Sequence, residues 1–268
     1  MKNKTKKPKN RIEKQLHEYL MDTSNCITIE KAIEEAKKRW PEKTKKTPKS
    51  ILLDVMNIIK THIELKQVIG IYLAGSYARE EQDKTSDIDI LVISDSISKE
   101  MIKQGSYNIL IVSQELLKQK LERDLFPIGP MIKEAQALIN DSYLNSIEIK
   151  VTEKNVGEYL KTTENKLEII KKFLKRAKPK KIIDDRVIYT LILRIRTLQI
   201  IKNLIENKNY SKKEFQNTIL KVSGTKNAYL SYLAVKNDSE GLNQTTKEEA
   251  EKLASYLENQ LDSLKKII

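Results

Sequence analysis

The first strong pattern in the chain is an apolar helix face that begins after residue 50. Its members recur at helical spacing: Ile51, Leu52, Val55, Ile58, Ile59 and Ile63. Three short runs rich in Ile, Leu and Val follow at 68–74, 87–94 and 107–112, and each is typical of a buried strand. A helix to about residue 123 comes after the third run. Helices that alternate with apolar strands predict an α/β or α+β core.

The second half of the chain lacks a convincing strand pattern. Pro127 and Pro130 interrupt the chain, and a helix is expected at about 130–139. Helical patterns then cover most of the remainder, at 155–177, 184–207, 211–222 and 246–267. Ser211, with Glu214 three residues later, is a capping box that marks the start of the third of these helices. We therefore expect an all-helical C-terminal domain.

The N-terminal segment differs from both halves. Residues 1–12 are rich in Lys and nearly without apolar residues, which favours a mobile basic arm. Short helices are predicted at about 13–21 and 29–39, and residues 41–49 are typical of a linker. Together the patterns divide the chain into a basic arm with short helices, a mixed core and a helical domain, at 1–49, 50–152 and 153–268.

The composition narrows the classes of function. The net charge is +13 and the pI is near 9.4, which favours polyanionic partners such as nucleic acid, nucleotides or an anionic membrane surface. The alternative is that Lys-rich faces are simply solvated. The chain has one cysteine, Cys26, and two histidines, His17 and His62. These numbers exclude an intramolecular disulfide framework and argue against a structural zinc site.

Targeting and membrane signals are also missing from the pattern. No apolar run approaches the roughly 20 residues that span a bilayer. The basic N-terminus lacks the apolar stretch of a signal peptide. We expect a cytoplasmic protein without a membrane partner, and the sequence leaves its oligomeric state open.

Two aspartates at the start of the second strand carry the candidate chemistry. Side chains alternate along a strand, so Asp87 and Asp89 point to one face while Ile88 and Ile90 point to the other. Carboxylates so close together suit shared ligation of Mg²⁺, which prefers hard oxygen donors.

A possible phosphate cradle precedes the aspartates. The first strand ends at Gly75-Ser76, before a predicted short helix at 76–81. Glycine allows close approach of backbone to a phosphate, and amides at a helix start favour anions. Ten residues separate Ser76 from Asp87.

Together these residues resemble the nucleotidyltransferase signature of the DNA polymerase β superfamily. That signature is an apolar residue, Gly-Ser or Gly-Gly, nine to thirteen residues, and then Asp-apolar-Asp or Asp-apolar-Glu. The longer string GSYARxxxxxxSDIDILV, which includes Tyr77, Arg79 and Ser86, is similar to small stand-alone members. The resemblance covers about residues 51–145. It implies an α+β fold in which a small mixed sheet is flanked by helices, followed here by the all-helical C-terminal domain.

The resemblance also implies a mechanism. Asp87 and Asp89 would hold Mg²⁺ on the triphosphate of an NTP such as ATP, and Gly75 and Ser76 would bind its β- and γ-phosphates. Ser86 is carried over as nucleotide-binding with the longer motif. Arg79 either counters phosphate charge or is only a solvated helix residue. An acceptor hydroxyl would attack the α-phosphorus, and pyrophosphate would leave.

One position departs from the family pattern. Members usually carry a third carboxylate on the next strand, where this chain has Asn108. Three explanations stay open. The strand alignment is wrong and Glu115 or Glu148 serves instead; or the enzyme works with a weakened second metal; or the domain binds nucleotide without turning it over.

The helical domain adds less. The stretch LILRIRTLQIIKNLIENKNYSKKEF and the later YLSYLAVKND resemble the C-terminal half of predicted archaeal nucleotidyltransferases. Arg186, Arg194 and Arg196 either bind phosphate or are solvated or paired with Asp184 and Asp185.

Two hypotheses of function follow. The first is an enzyme that transfers a nucleoside monophosphate to an acceptor, with RNA favoured by the charge and a protein or small molecule as the variant. The second is a catalytically degenerate protein that binds nucleotide or RNA on the same fold.

Overall fold

The computed structural model describes residues 48–83, 86–96, 99–239, 241 and 244–268. The predicted basic arm, both N-terminal helices and most of the predicted linker lie outside these residues. The described residues form two compact units. The first contains residues 48–120 and 127–148, and the second contains residues 121–126 and 149–268.

The first unit is an α+β arrangement of five strands and several helices. In chain order its elements are α1 (Pro48–Ile59), a 3₁₀ turn (Leu65–Gln67), β1 (Val68–Ala74), α2 (Gly75–Ala78), β2 (Ile88–Ser94), β3 (Lys99–Gln104), β4 (Tyr107–Ser113), α3 (Gln114–Arg123), α4 (Ile128–Glu134), β5 (Gln136–Ile139) and α5 (Asp141–Ser146). Helix α3 crosses from the first unit into the second at its C-terminal end. This architecture confirms the predicted fold class.

The five strands form one mixed sheet in the order β3-β4-β2-β1-β5. Strand β2 runs parallel to β4 and antiparallel to β1. Strands β3 and β5 are the antiparallel edges, paired with β4 and β1 respectively. The central position of β2 therefore gives its residues from Asp89 to Ser94 a partner on both sides.

Strand β2 is apolar on both faces, which explains its central place in the sheet. Ile88, Ile90 and Val92 are buried in the core beneath α1, and Leu91 and Ile93 on the opposite face are also fully buried. Continuous apolar runs of this kind are typical of strands covered on both faces.

Two strands were not predicted. Strand β3 has the sequence KEMIKQ and buries only Ile102, so it lacks the apolar run of the central strands and is stable as a polar edge. Strand β5 lies inside the segment 130–139 that was expected to be a helix. The helix ends at Glu134, and the last four residues pair with β1 instead, so the second half of that prediction is wrong.

The second unit has one core, formed by apolar helix faces. Its helices are α6 (Glu153–Arg176), α7 (Asp185–Ile205), α8 (Lys212–Ser223), α9 (Asn227–Lys236) and α10 (Lys247–Ile267). Of the predicted capping box of α8, the structure shows the hydrogen bond from the Glu214 amide to the Ser211 side chain. Helix α9 was not predicted. Within the part of the chain that the structure describes, no helix combines the length and apolar content needed to cross a bilayer.

A charged hydrogen bond fixes the start of β4 to α1. The Tyr107 hydroxyl donates to Asp54 Oδ2 at 2.6 Å, and the Tyr107 ring is buried in the core. Burial and the neighbouring carboxylate both raise the pKa of Tyr107. The bond therefore anchors the strand that carries Asn108 at its second residue.

Replacement of this tyrosine tests the anchor. Tyr107→Phe keeps the ring and removes the hydroxyl, so Asp54 loses a charged hydrogen bond. We expect the free energy of unfolding to fall by about 1–3 kcal/mol in urea titration. Tyr256→Phe is the control. Burial is the one cause that raises the pKa of Tyr256, so this tyrosine, unlike Tyr107, has no neighbouring carboxylate that raises its pKa. Equal effects of the two substitutions would contradict the anchoring role.

Candidate active site

Three adjacent strands bring the candidate residues together. Asp89 on β2 pairs with Ala74, the last residue of β1, and on its other side with Asn108 of β4. Gly75 follows Ala74 directly, and Asp87 immediately precedes β2. The strand register therefore places four residues at one edge of the sheet, where β1 ends and where β2 and β4 begin: Gly75, Asp87, Asp89 and Asn108.

The Asn108 side chain links the two aspartates. Its Nδ2 donates to Asp87 Oδ2 at 3.2 Å and to Asp89 Oδ1 at 3.4 Å. Asp87 is exposed, whereas Asp89 is half-buried. Because one amide nitrogen reaches both carboxylates, the two acids lie side by side, as the strand alternation predicts.

The surroundings of Asp89 raise the pKa of its carboxyl group and so disfavour its ionised form. Burial raises the pKa of its carboxyl most, and the nearby Asp87 and Glu134 carboxylates raise it further. The Asn108 hydrogen bond and the Arg79 guanidinium act in the opposite direction and lower it. A bound cation would stabilise the ionised form.

Gly75 stands where only a glycine fits. Its φ is +68°, in the left-handed region, and a Cβ on Gly75 would overlap Asp89 Oδ2. The absence of a side chain therefore allows the Asp89 carboxylate to pack directly against the turn. Helix α2 begins at this glycine and is only four residues long.

Glu134 is a member of the site that the sequence did not reveal. Its Oε1 accepts a hydrogen bond from the Gly75 amide at 2.8 Å, and its Oε2 forms an ion pair with Arg79 Nη1. Arg79 also donates from Nε to Glu81 Oε2 at 3.0 Å. Arg79 therefore pairs with two carboxylates, and both Arg79 and Glu134 lie near Asp89.

A comparison with known protein families identifies the family to which this chain belongs. The model of the nucleotidyltransferase domain matches residues 55–211, more than half of the chain. The chain belongs to the nucleotidyltransferase domain family. The match includes all the residues that form the site at the sheet edge and continues into the helical unit.

Two solved structures resemble this nucleotidyltransferase. One is a nucleotidyltransferase-like protein from Exiguobacterium sibiricum, at 13% identity over 77% of this chain and 73% of that chain, with a TM-score of 0.35. The other is a spectinomycin adenyltransferase from Enterococcus faecialis with ATP and spectinomycin, at 15% identity over 79% of this chain and 98% of that chain, with a TM-score of 0.43. No curated protein matches the chain.

Two predicted nucleotide-binding residues of this nucleotidyltransferase have protein partners. Arg79 is engaged by Glu81 and Glu134, and its side chain is only 13% exposed, so it is not a freely solvated helix residue. The Ser86 hydroxyl donates to Asp83 Oδ1 at 3.0 Å and accepts from the Asp83 amide at 2.8 Å. In this structure Ser86 therefore shapes the loop before β2.

The alternative third carboxylates do not join the pair. Glu115 is exposed in the first turn of α3, and Glu148 is exposed after α5. Among the residues that the structure describes, no three His, Cys, Asp or Glu side chains form a group that could hold a metal ion. Asn108 lies directly opposite Asp89 in the strand register.

In the helical unit, two of the predicted arginines have partners other than Asp184 and Asp185. Arg194 donates to Thr162 at 3.1 Å, and Arg196 lies over the Tyr210 ring with 5.2 Å to its centroid. The Asp184 carboxylate instead caps α7 by accepting from the Arg186 amide.

A comparison of two glycines tests the close packing at Gly75. We expect Gly75→Ala to lower the free energy of unfolding by roughly 2–4 kcal/mol, because backbone strain and overlap with Asp89 add together. Gly105→Ala is the matched control: Gly105 also has a left-handed φ, of +59°, but a Cβ there meets nothing within 4 Å. It should cost about 1–2 kcal/mol, from strain alone. Equal costs in urea titration would contradict the packing of Asp89 against the turn.

Proposed function

We propose that this chain is a Mg²⁺-dependent nucleotidyltransferase that moves a nucleoside monophosphate from an NTP, such as ATP, to an acceptor hydroxyl, with RNA as the favoured acceptor. The observation that carries the proposal is the placement of Asp87 and Asp89 beside the Gly75 turn, joined by one Asn108 amide. Two carboxylates next to a turn without a side chain suit a metal-bound phosphate.

The donor set at this edge fits Mg²⁺. In proteins this ion is commonly held by one or two carboxylates together with substrate phosphates, and Asp87 and Asp89 supply the two carboxylates. When bound, Mg²⁺ would neutralise the triphosphate and stabilise the charge that develops as the phosphoryl group is transferred. A second metal would have weaker support, because Asn108 brings an amide and no charge.

The chain's own residues would bind and position the nucleotide. Gly75 and Ser76 would contact the β- and γ-phosphates, and Asp87 and Asp89 would hold the Mg²⁺ that accompanies the triphosphate. The acceptor oxygen forms a bond to the α-phosphorus, the bond to the β-phosphate oxygen breaks, and pyrophosphate leaves. Asn108 cannot take the acceptor's proton, so that proton would pass to solvent or to the departing pyrophosphate.

The charge of the chain supports an RNA acceptor. The net charge is +13, and about half of it lies in residues 1–47, which contain fourteen Lys and Arg against seven Asp and Glu. Lysine-rich segments add sequence-independent contacts to phosphates. We propose residues 50–152 as the catalytic core and 153–268 as the acceptor-recognition domain, preceded by the basic segment 1–49. A protein or a small molecule is the alternative acceptor.

Asn108 favours a second candidate function. With an amide at the third position, the chain would bind nucleotide or RNA on the nucleotidyltransferase fold without turnover. Binding with no transfer under any condition would distinguish this candidate from the enzyme.

Transfer of radiolabel tests the enzyme directly. With Mg²⁺ and α-³²P NTPs, the protein should label RNA, and Asp89→Asn should lower the rate by about 100-fold or more through loss of a metal ligand. Asp95→Asn is the control, since Asp95 is exposed just beyond the far end of β2. Labelling of a protein or small molecule in place of RNA would reassign the acceptor.

That assay also has an outcome that contradicts the enzyme. If all four NTPs leave RNA, protein and small-molecule acceptors unlabelled while RNA still binds, the binding function replaces it. Equal loss of labelling in the Asp89→Asn and Asp95→Asn proteins would contradict the assigned site.

The Asn108→Asp substitution tests the weakened metal site. We expect it to lower the Mg²⁺ concentration at half-maximal rate by about tenfold, because a third carboxylate adds charge to the ligand set. Without Mg²⁺ the variant should be less stable than the wild type, since three like charges then lie together. An unchanged Mg²⁺ requirement in a folded variant would show that position 108 lies outside the metal site.

A further inference from the structure

We infer that Glu134 is a positioning residue: its carboxylate holds the Gly75 turn and Arg79 in the arrangement that receives the triphosphate, without contacting the metal. The inference rests on the proposed function, because it assigns a role within the same site. It adds a residue that lies outside the Gly-Ser and Asp-Ile-Asp motif, at the end of α4 and two residues before the edge strand β5.

The sheet places Glu134 opposite the turn. Strands β1 and β5 are antiparallel, and Leu73 pairs with Gln136. In an antiparallel pair, the position two residues after Leu73 lies opposite the position two residues before Gln136. These two positions are Gly75 and Glu134. Helix α4 ends at Glu134 and β5 begins at Gln136. Glu134 therefore lies in the short connection between them, beside the end of β1.

One carboxylate then binds the turn at two points. Glu134 Oε1 accepts from the Gly75 amide at 2.8 Å, while Oε2 pairs with Arg79 at the other end of α2. The Glu134 side chain is 12% exposed and the Arg79 side chain 13% exposed, so water competes weakly for either group. A third contact comes from the same segment, since Gln136 Nε2 donates to the Ala78 carbonyl.

The turn needs such support because it is crowded by a carboxylate. Gly75 has a left-handed φ, and the Asp89 carboxylate packs against it. Loss of Glu134 would free the turn to move relative to Asp87 and Asp89.

The contacts of Glu134 argue against a role as the missing third ligand. One of its oxygens binds the Gly75 amide and the other binds Arg79. In the described residues it forms no metal-binding group with Asp87 and Asp89. The two roles predict different kinetics: loss of a positioning residue weakens nucleotide binding, whereas loss of a metal ligand lowers the rate at saturation.

The test uses the full chain with two substitutions. Glu134→Ala removes both contacts, whereas Glu134→Gln keeps an acceptor for the Gly75 amide and loses only the ion pair. The control is Glu258→Gln, which breaks an exposed pair with Lys171 in the helical unit. Three quantities are measured: amide hydrogen exchange of residues 75–79 without ligand, the dissociation constant of MgATP, and kcat with KM.

We expect a graded result. In Glu134→Ala, exchange of residues 75–79 should speed up about tenfold or more, and the dissociation constant and KM for MgATP should rise about tenfold or more while kcat stays within about threefold. Glu134→Gln should lie between this variant and the wild type. Glu258→Gln should change none of these quantities.

The inference is overturned if exchange and MgATP affinity stay unchanged in Glu134→Ala, or if kcat collapses while affinity is kept. If Glu134→Ala does not fold, Glu134→Gln alone carries the test, with smaller changes in the same direction. A wild-type chain that does not bind MgATP would refute the proposed function and this inference with it. Wild-type binding with unaffected Glu134 variants would refute the inference alone.

Discussion

The pairing of β2 with both of its neighbours is the constraint on which the site depends. Asp89 has Ala74 on one side and Asn108 on the other, so the antiparallel and the parallel ladder meet at this residue. A slip of one residue would turn Asp89 towards the opposite face of the sheet. That slip is opposed because it would place the Asp89 carboxylate in the apolar core beneath α1, where a charge is costly to bury.

Charge is the second constraint, and it follows from the first. The register brings Asp87, Asp89 and Glu134 close to one guanidinium, that of Arg79, and burial makes the charge on Asp89 costly. Such a group repels a triphosphate unless a cation comes with it. The family to which the chain belongs transfers nucleotides, and an excess of carboxylates beside a bare glycine turn is consistent with a metal-bound substrate.

The sequence predicted the parts of the site that follow from local periodicity. Alternation along a strand is enough to place Asp87 and Asp89 on one face, and a glycine at a strand end is enough to indicate a turn. Glu134 could not be found in this way, because the short segment 130–139 fits a helix as well as a strand and its partner is β1, about sixty residues earlier. Strand β3 escaped prediction because an edge strand that buries only Ile102 has almost no apolar signal.

The central claim is that Asp87 and Asp89 hold the metal of a bound nucleotide. A crystal of the full chain with Mn²⁺ and a non-hydrolysable ATP analogue, measured at a wavelength where manganese scatters anomalously, tests it most directly. The account predicts an anomalous peak at the oxygens of Asp87 and Asp89, with the triphosphate extending to Gly75 and Ser76. A peak elsewhere, or analogue bound away from the two aspartates at saturating concentration, would contradict it.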